Sequence, residues 1–423
     1  MDEEKEFENI WARYGLKDTP YNTKALSLIG TLEIDKVFFG RKDELKLLGD
    51  RIYSNNSTRT AIVGEIGTGK TTFANYLRWK LCRKKTIKES KFLTTINEIK
   101  IRGDWTFNKF LRETLFEIYD SSKIFKWEEE GISLEILKTI KNNLDIFKRK
   151  NIEISESEIK LGLKGDELKQ DISTELLQSW FYKLCEEIKG YNKKLILHYN
   201  NLESMSQNEL GNLFMSIKEI IQIENTHWLF LGATDILSTI ENISQVHSIF
   251  NQHIILKSLS EKEIFSILEL RCEFLSGEGT KYIKPYDEKI VSELYRKLNG
   301  NIRFIFKLFE DTTSYLCHKH SSPCIVNIEQ INVIQEKARE EILAELTENQ
   351  KKIIITLMDN KEMTIGELAD KLNIKNPQNL SKEIQKLKKK TLITIKENPD
   401  DKRSKIINLS EKTYLSFIFS KKD

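Results

Sequence analysis

Residues 60–72 read Thr60-Ala61-Ile62-Val63-Gly64-Glu65-Ile66-Gly67-Thr68-Gly69-Lys70-Thr71-Thr72, and this stretch decides the fold. Gly64, Gly69, Lys70 and Thr71 fit the phosphate-binding pattern G-x-x-x-x-G-K-[ST]. Thr60 to Val63 is a short apolar run of buried-strand type, and Phe73, Tyr76, Leu77 and Leu81 recur downstream at helical spacing. Strand, glycine loop and helix therefore follow in the order such a loop needs. The glycines let the backbone turn tightly and bring consecutive N–H groups at a helix N-terminus against phosphate oxygens. Lys70 is placed to reach the β- and γ-phosphates, and the Thr71 hydroxyl to ligate Mg²⁺. Gly64, Glu65, Ile66, Gly67, Thr68, Gly69, Lys70, Thr71 and Thr72 are thus the candidate site for ATP with Mg²⁺.

Around this loop lies a chain of 423 residues, 39% apolar and 31% charged. That length suggests roughly two to four domains with ample core. No apolar run approaches membrane-spanning length, and Met1-Asp2-Glu3-Glu4-Lys5-Glu6 is acidic rather than signal-like. A cytoplasmic protein without a membrane partner is expected. The five scattered cysteines suit reduced thiols. Cys317-His318-Lys319-His320 and Cys324 offer soft metal ligands, but their spacing matches none of the usual paired-cysteine zinc patterns. The net charge of +3 is uneven: Thr347 to Asp423 holds 17 Lys and Arg against 11 Asp and Glu, a net of +6. The positive end is the candidate for nucleic-acid contact.

Taken in order, residues 1–35 form an N-terminal helical segment with an amphipathic helix over Phe7 to Tyr14. The stretch Val37-Phe38-Phe39-Gly40-Arg41-Lys42-Asp43-Glu44-Leu45 then opens a helix ahead of the loop. Phe92 to Arg102 alternates and reads as a second strand, followed by a helix over Trp105 to Tyr119. The alternation from Ile152 to Leu163 reads as a β-hairpin inserted near 150–165. A helix over Ile172 to Lys189 leads into the apolar run Lys193 to Tyr199, which ends in Asn200-Asn201-Leu202-Glu203.

"FFGRKDEL" followed by "GEIGTGKTT" resembles the opening of AAA+ and STAND-type ATPases, particularly the origin-recognition (replication-initiator) branch. The resemblance implies an α/β fold: a P-loop NTPase (AAA+-like) parallel-sheet core over 36–257 and a helical lid over 258–345. In that branch the segment before the loop lies against the adenine, making Phe39, Gly40 and Arg41 nucleotide-binding candidates. The family's Walker B acids fall where this chain has Asn200 and Asn201, with Glu203 the first carboxylate after them. An amide can accept from a metal-bound water, but it carries no charge and cannot act as a base. Slow hydrolysis is expected, with Glu203 or Glu65 as substitute carboxylates. Thr234 falls at the sensor 1 position. Arg303, within Asn299-Gly300-Asn301-Ile302-Arg303, resembles sensor 2 and would reach the γ-phosphate. Ser244 to Phe250, where many relatives carry an arginine finger, holds no arginine.

The last segment is patterned as helix, turn, helix and hairpin. Helical spacing over Gln350 to Met358, Thr364 to Leu372 and Gln378 to Lys389 precedes Leu392 to Lys396, a polar turn, and Lys405 to Leu409. This is winged helix-turn-helix order over 346–423, and its wing resembles that of MarR-type regulators. Ser381, Lys382, Gln385 and Lys386 would project from the recognition helix, and Lys402, Arg403 and Lys405 from the wing. The expected function is an ATP-binding switch that binds duplex DNA through this winged helix under nucleotide control. A STAND-like assembly ATPase of a mobile-element or antiviral defence system, with a protein partner at its C-terminus, is the alternative. An ATP-dependent transcription regulator is a third reading, and a homo-oligomer is compatible with all three.

Overall fold

The computed structural model describes residues 8–82, 89–103, 105–143, 172–250, 252–277, 279–360, 362–374, 377–398 and 404–419. The hairpin expected near 150–165 and the wing residues Lys402 and Arg403 lie outside the described residues. The chain forms two compact units, one of Ala25–Lys257 and one of Met1–Lys24 with Ser258–Asp423.

The first unit is built on a parallel sheet. Its elements are α1 (Lys42–Ser54), β1 (Thr58–Val63), α2 (Lys70–Cys82), β2 (Phe92–Thr94), β3 (Ile99–Lys100), α3 (Phe107–Ile124), α4 (Thr174–Gly190), β4 (Lys194–Asn200), α5 (Gln207–Ile217), β5 (Thr226–Gly232), α6 (Ile236–Asn242) and β6 (Gln252–Ile255). The strand order is β2-β4-β5-β1-β6, with β3 also paired to β4. Every pairing is parallel, including Val63 with Gly232 and Val63 with Ile255. Parallel strands covered on both faces read as nearly continuous apolar runs, as Leu195 to Tyr199 and Trp228 to Leu231 do.

Alternation along the strands divides the core. Ile62, Ile196, Leu229, Leu231 and Ile254 pack against Leu45, Leu48 and Ile52 of α1 and Phe73 and Leu77 of α2. Their neighbours Val63, Leu197, Tyr199, Trp228 and Phe230 join the cluster formed with α3, α4 and α5. Aromatic rings dominate that second face: Tyr199 stacks on Phe110 at 4.7 Å and on Phe230 at 5.2 Å between centroids.

The strand expected over Phe92 to Arg102 is broken in two. Thr94 pairs with Ile196 and Ile99 with Tyr199, so four residues face two and the chain bulges. Side chains replace the ladder there: Ile96 N–H donates to Ser121 Oγ (2.7 Å), Asn97 N–H to Glu117 Oε1 (3.0 Å), and Arg78 to the Thr95 carbonyl (2.6 Å). Buried backbone groups find partners wherever geometry offers them.

The second unit comprises the first residues together with α7 (Glu261–Ser276), α8 (Glu288–Lys297), α9 (Ile302–Lys319), α10 (Ile328–Ala344), α11 (Glu348–Asn360), β7 (Glu362–Thr364), α12 (Ile365–Lys371), α13 (Pro377–Lys389), β8 (Ile393–Glu397), β9 (Lys405–Leu409) and α14 (Glu411–Phe417). The helix expected over Phe7 to Tyr14 is only a 3₁₀ turn, Ile10–Tyr14. Gly15 ends it in the left-handed region at φ 77°. Aromatic burial rather than helix length fixes this segment: Trp11, Tyr14 and Tyr21 are buried, and Tyr21 stacks on Phe309 at 5.1 Å. Arg271 donates to the carbonyls of Pro20 (3.1 Å) and Asn22 (2.8 Å). The division from the sheet unit therefore falls after Lys24 rather than at residue 35.

Candidate nucleotide site and winged helix

In an open parallel sheet the loops beyond the carboxyl ends of the strands converge on the functional crevice. Here those are the loops after β1, β4 and β5. Gly64 must lack a side chain, because a Cβ there would stand 2.4 Å from the Leu256 carbonyl oxygen. Gly69 adopts φ 87°, which L side chains rarely adopt, and its carbonyl accepts from Phe73 N–H to start α2. Thr68 closes the loop on itself, its hydroxyl donating to the Glu65 carbonyl at 2.9 Å. Lys70 is buried, with Nζ donating to the carbonyls of Gly64 (2.8 Å) and Glu65 (3.0 Å). Glu65 and Ile66 form the exposed tip.

Two outer attachments hold this loop, and sequence reasoning missed the second. Arg41 was expected to meet the nucleotide. Its guanidinium donates to the carbonyl of Thr68 (3.1 Å) and to that of Lys257, with only 9% of the side chain exposed. Gly40 and Arg41 both take positive φ (83° and 59°), which turns the chain back towards the loop. Phe39 is 37% exposed, while its neighbour Phe38 stacks on Tyr76 at 3.9 Å. The other attachment is Leu26: its N–H donates to Thr72 Oγ1 (3.2 Å) and its carbonyl accepts from Asn75 Nδ2 (2.7 Å). Asn75 is a polar residue on the buried face of α2, a signal that a mismatch with the apolar pattern could have given.

Asn200 ends β4 beside the loop, and its Nδ2 donates to Thr71 Oγ1 at 2.9 Å. Its Oδ1 accepts the Asn201 backbone N–H at 2.8 Å. Asn201 does not share the site: at φ 69° it turns away, and its amide donates to the Ile101 carbonyl at 3.0 Å. Glu203 is exposed, with Oε2 3.2 Å from where a Cβ on Gly232 would lie, over the end of β5. Thr234 is exposed in the turn that follows β5, next to the loop strand.

The fold family implies Mg²⁺ at Thr71, and the donor set here does not fit it. A carboxylate at the Asn200 position would accept the Thr71 hydroxyl proton and leave that oxygen's lone pairs to a cation. Asn200 donates into one of them instead. Among the described residues no group of three or more His, Cys, Asp and Glu is placed to hold a metal ion, and that includes the cysteines and histidines around Cys317.

Arg303 lies exposed in the first turn of α9, in the other unit, behind an Asn301 cap whose side chain accepts from Phe304 N–H. The winged helix is part of that unit. Its three strands pair antiparallel in the order β7-β9-β8. Leu380, Ile384 and Leu387 of α13 enter the core with Ile353, Leu357, Leu368 and Ile407. This leaves Lys382, Gln385 and Lys386 exposed on α13 and Lys405 exposed on β9, while Ser381 is half-buried. Lys386 is ion-paired to Glu383 at 2.6 Å, and Glu383 also accepts from Gln350 at 2.7 Å. Within the described residues no helix is long and apolar enough to cross a membrane.

Strand order and loop define a P-loop fold of AAA+-like architecture with a C-terminal winged helix, and residues 345–404 match the MarR family. Solved structures with similarity along most of the chain include the ORC2 protein of Aeropyrum pernix in ADPNP-ADP complexes, at 13% identity, TM-score 0.49 and 95% coverage of each chain. Cdc6p of Pyrobaculum aerophilum shares 14% identity, with 90% of this chain and 92% of that one covered and a TM-score of 0.42. The Aeropyrum pernix ORC1 protein in complex with DNA shares 12%, with 92% and 94% covered and a TM-score of 0.40. No curated protein matches the sequence. At these identities the class rests on strand order, loop and winged helix rather than on any one relative.

Proposed function

We propose that this protein is an ATP-binding switch that binds duplex DNA through its winged helix under nucleotide control. The observation that carries the proposal is the finished phosphate loop, with Lys70 and the α2 N-terminus in place, in the same chain as a basic recognition helix. Hydrolysis is slow, because Asn200 supplies neither charge nor base and Asn201 is turned away. Glu203 is the nearest carboxylate in sequence to take up that role. ATP then serves mainly as a conformational ligand, with Arg303 as its reader in the second unit. The lysine-rich faces carry few side chains suited to bidentate base reading, so binding is chiefly to the backbone.

The test is a gel-shift titration of the full-length protein on unrelated duplexes with ATP, ADP or a non-hydrolysable analogue. Affinity is expected to depend on nucleotide and to fall with salt, log K losing about 0.9 per log unit of salt for each phosphate neutralised. Replacing Lys402, Arg403 and Lys405 together by Ala should flatten that slope by up to about three contacts' worth, and Gln385→Ala should alter preference among sites. Nucleotide-driven self-assembly or partner capture without any DNA shift would instead favour an assembly ATPase.

A further inference from the structure

We propose that the phosphate loop takes its nucleoside triphosphate without a divalent cation, and that Asn200 sets this preference. The inference rests on the nucleotide reading above and adds the chemical form of the ligand. Its basis is the direction of two hydrogen bonds. The Asn201 backbone N–H can only donate, so the atom it meets at 2.8 Å is the Asn200 oxygen, and the group left facing Thr71 at 2.9 Å is the amide NH₂. Neither assignment can be reversed without setting donor against donor.

The polarity at Thr71 is therefore the opposite of what a magnesium site needs. Mg²⁺ demands a near-octahedral oxygen set, keeps several waters, and uses one or two carboxylates to hold them. Those waters point their protons outward and require acceptors. At the end of β4 the group turned towards Thr71 is the Asn200 NH₂, the Asn200 oxygen accepts from the Asn201 backbone, and Asn201 turns its side chain away to donate to the Ile101 carbonyl. Glu203 lies instead against Gly232 on β5.

A triphosphate can still be held. Lys70 and the N–H groups opening α2 supply positive potential, and no carboxylate at position 200 opposes it. A bare triphosphate avoids the like-charge repulsion that an aspartate there would impose, so the amide suits an uncomplexed polyphosphate.

Full-length protein titrated with a fluorescent ATP analogue, in excess EDTA and in excess MgCl₂, tests this. The dissociation constant is expected to agree within about threefold between the two conditions. Asn200→Asp should weaken binding in EDTA and make it recover about tenfold or more with Mg²⁺. Wild-type binding that is lost in EDTA overturns the proposal and leaves the nucleotide reading standing. Asn200→Asp binding that ignores Mg²⁺ removes Asn200 from its role. Absence of binding in both conditions overturns the nucleotide reading itself, and this inference with it. Should Asn200→Asp fail to fold by circular dichroism, the wild-type comparison alone decides.

Discussion

The end of β1 and the end of β4 sit two strands apart in one sheet, with β5 between them, and are built in opposite ways. After β1, every feature serves an anion: close backbone approach at Gly64, left-handed glycines, a buried Lys70, and Arg41 holding the turn from outside. After β4, the chain carries two amides, whose hydrogen bonds go to the Thr71 hydroxyl and to neighbouring backbone. On the proposed reading, the contrast teaches that holding a phosphate and breaking it are separable properties of one site, each written at the end of a different strand.

The largest expected effect comes from removing the loop's cation. A ligand that binds only the folded state stabilises it by about 3 kcal/mol at a hundredfold excess over its dissociation constant. Lys70→Ala should lose most of that ATP-induced shift in thermal denaturation, and a shift equal to wild type would dissolve the contrast on the β1 side. Gly64→Ala should come next. Its Cβ meets backbone rather than a flexible side chain, and such overpacking typically costs about 1–3 kcal/mol even before nucleotide is added. Chemical denaturation of the ligand-free variant measures this, and unchanged stability would mean that Leu256 is free to move away.

A smaller effect tests the strands beneath. His198 of β4 and His227 of β5 are fully buried; burial, with Arg78 nearby, holds His198 well below the usual imidazole range and, with Lys194 and Arg59, holds His227 at about 3. Both stay neutral in the folded state, whereas the unfolded chain takes up protons below about pH 6.5. Stability is therefore complete above that pH and declines as pH falls from 6.5 towards 3. For His227 alone the loss is about 1.4 kcal/mol by pH 5.5. Among the described residues neither nitrogen of His198 has a hydrogen-bond partner, so His198→Leu should flatten the acid limb without lowering stability at pH 8. An acid limb unchanged by that substitution would assign the decline to other groups.

The loop was legible because strand, glycines, lysine and helix are contiguous, and contiguity is what a sequence displays. The winged helix was legible from its order of elements, although β7 is too short, at Glu362–Thr364, to show a period. Asn200 could be placed at its strand end but not oriented, since its orientation depends on the left-handed turn at Asn201. The bonds of Arg41 could not be read from sequence, since they run to Thr68 and Lys257, partners 27 and 216 residues away. The break between β2 and β3 was hidden for the same reason: Ser121 and Glu117, which replace the ladder, come from the following helix.

That distance in sequence also sets when the site can exist. β1 is closed on one side by β6, Gly64 rests against Leu256, and Arg41 ties the loop to Lys257. The loop thus precedes its last partners by about 190 residues, roughly ten to forty seconds of translation at ordinary ribosomal speeds. Throughout that interval the emerging polypeptide carries the complete motif without the strand and the carbonyls it rests on. The loop reaches its folded setting only in a core whose synthesis has passed Lys257.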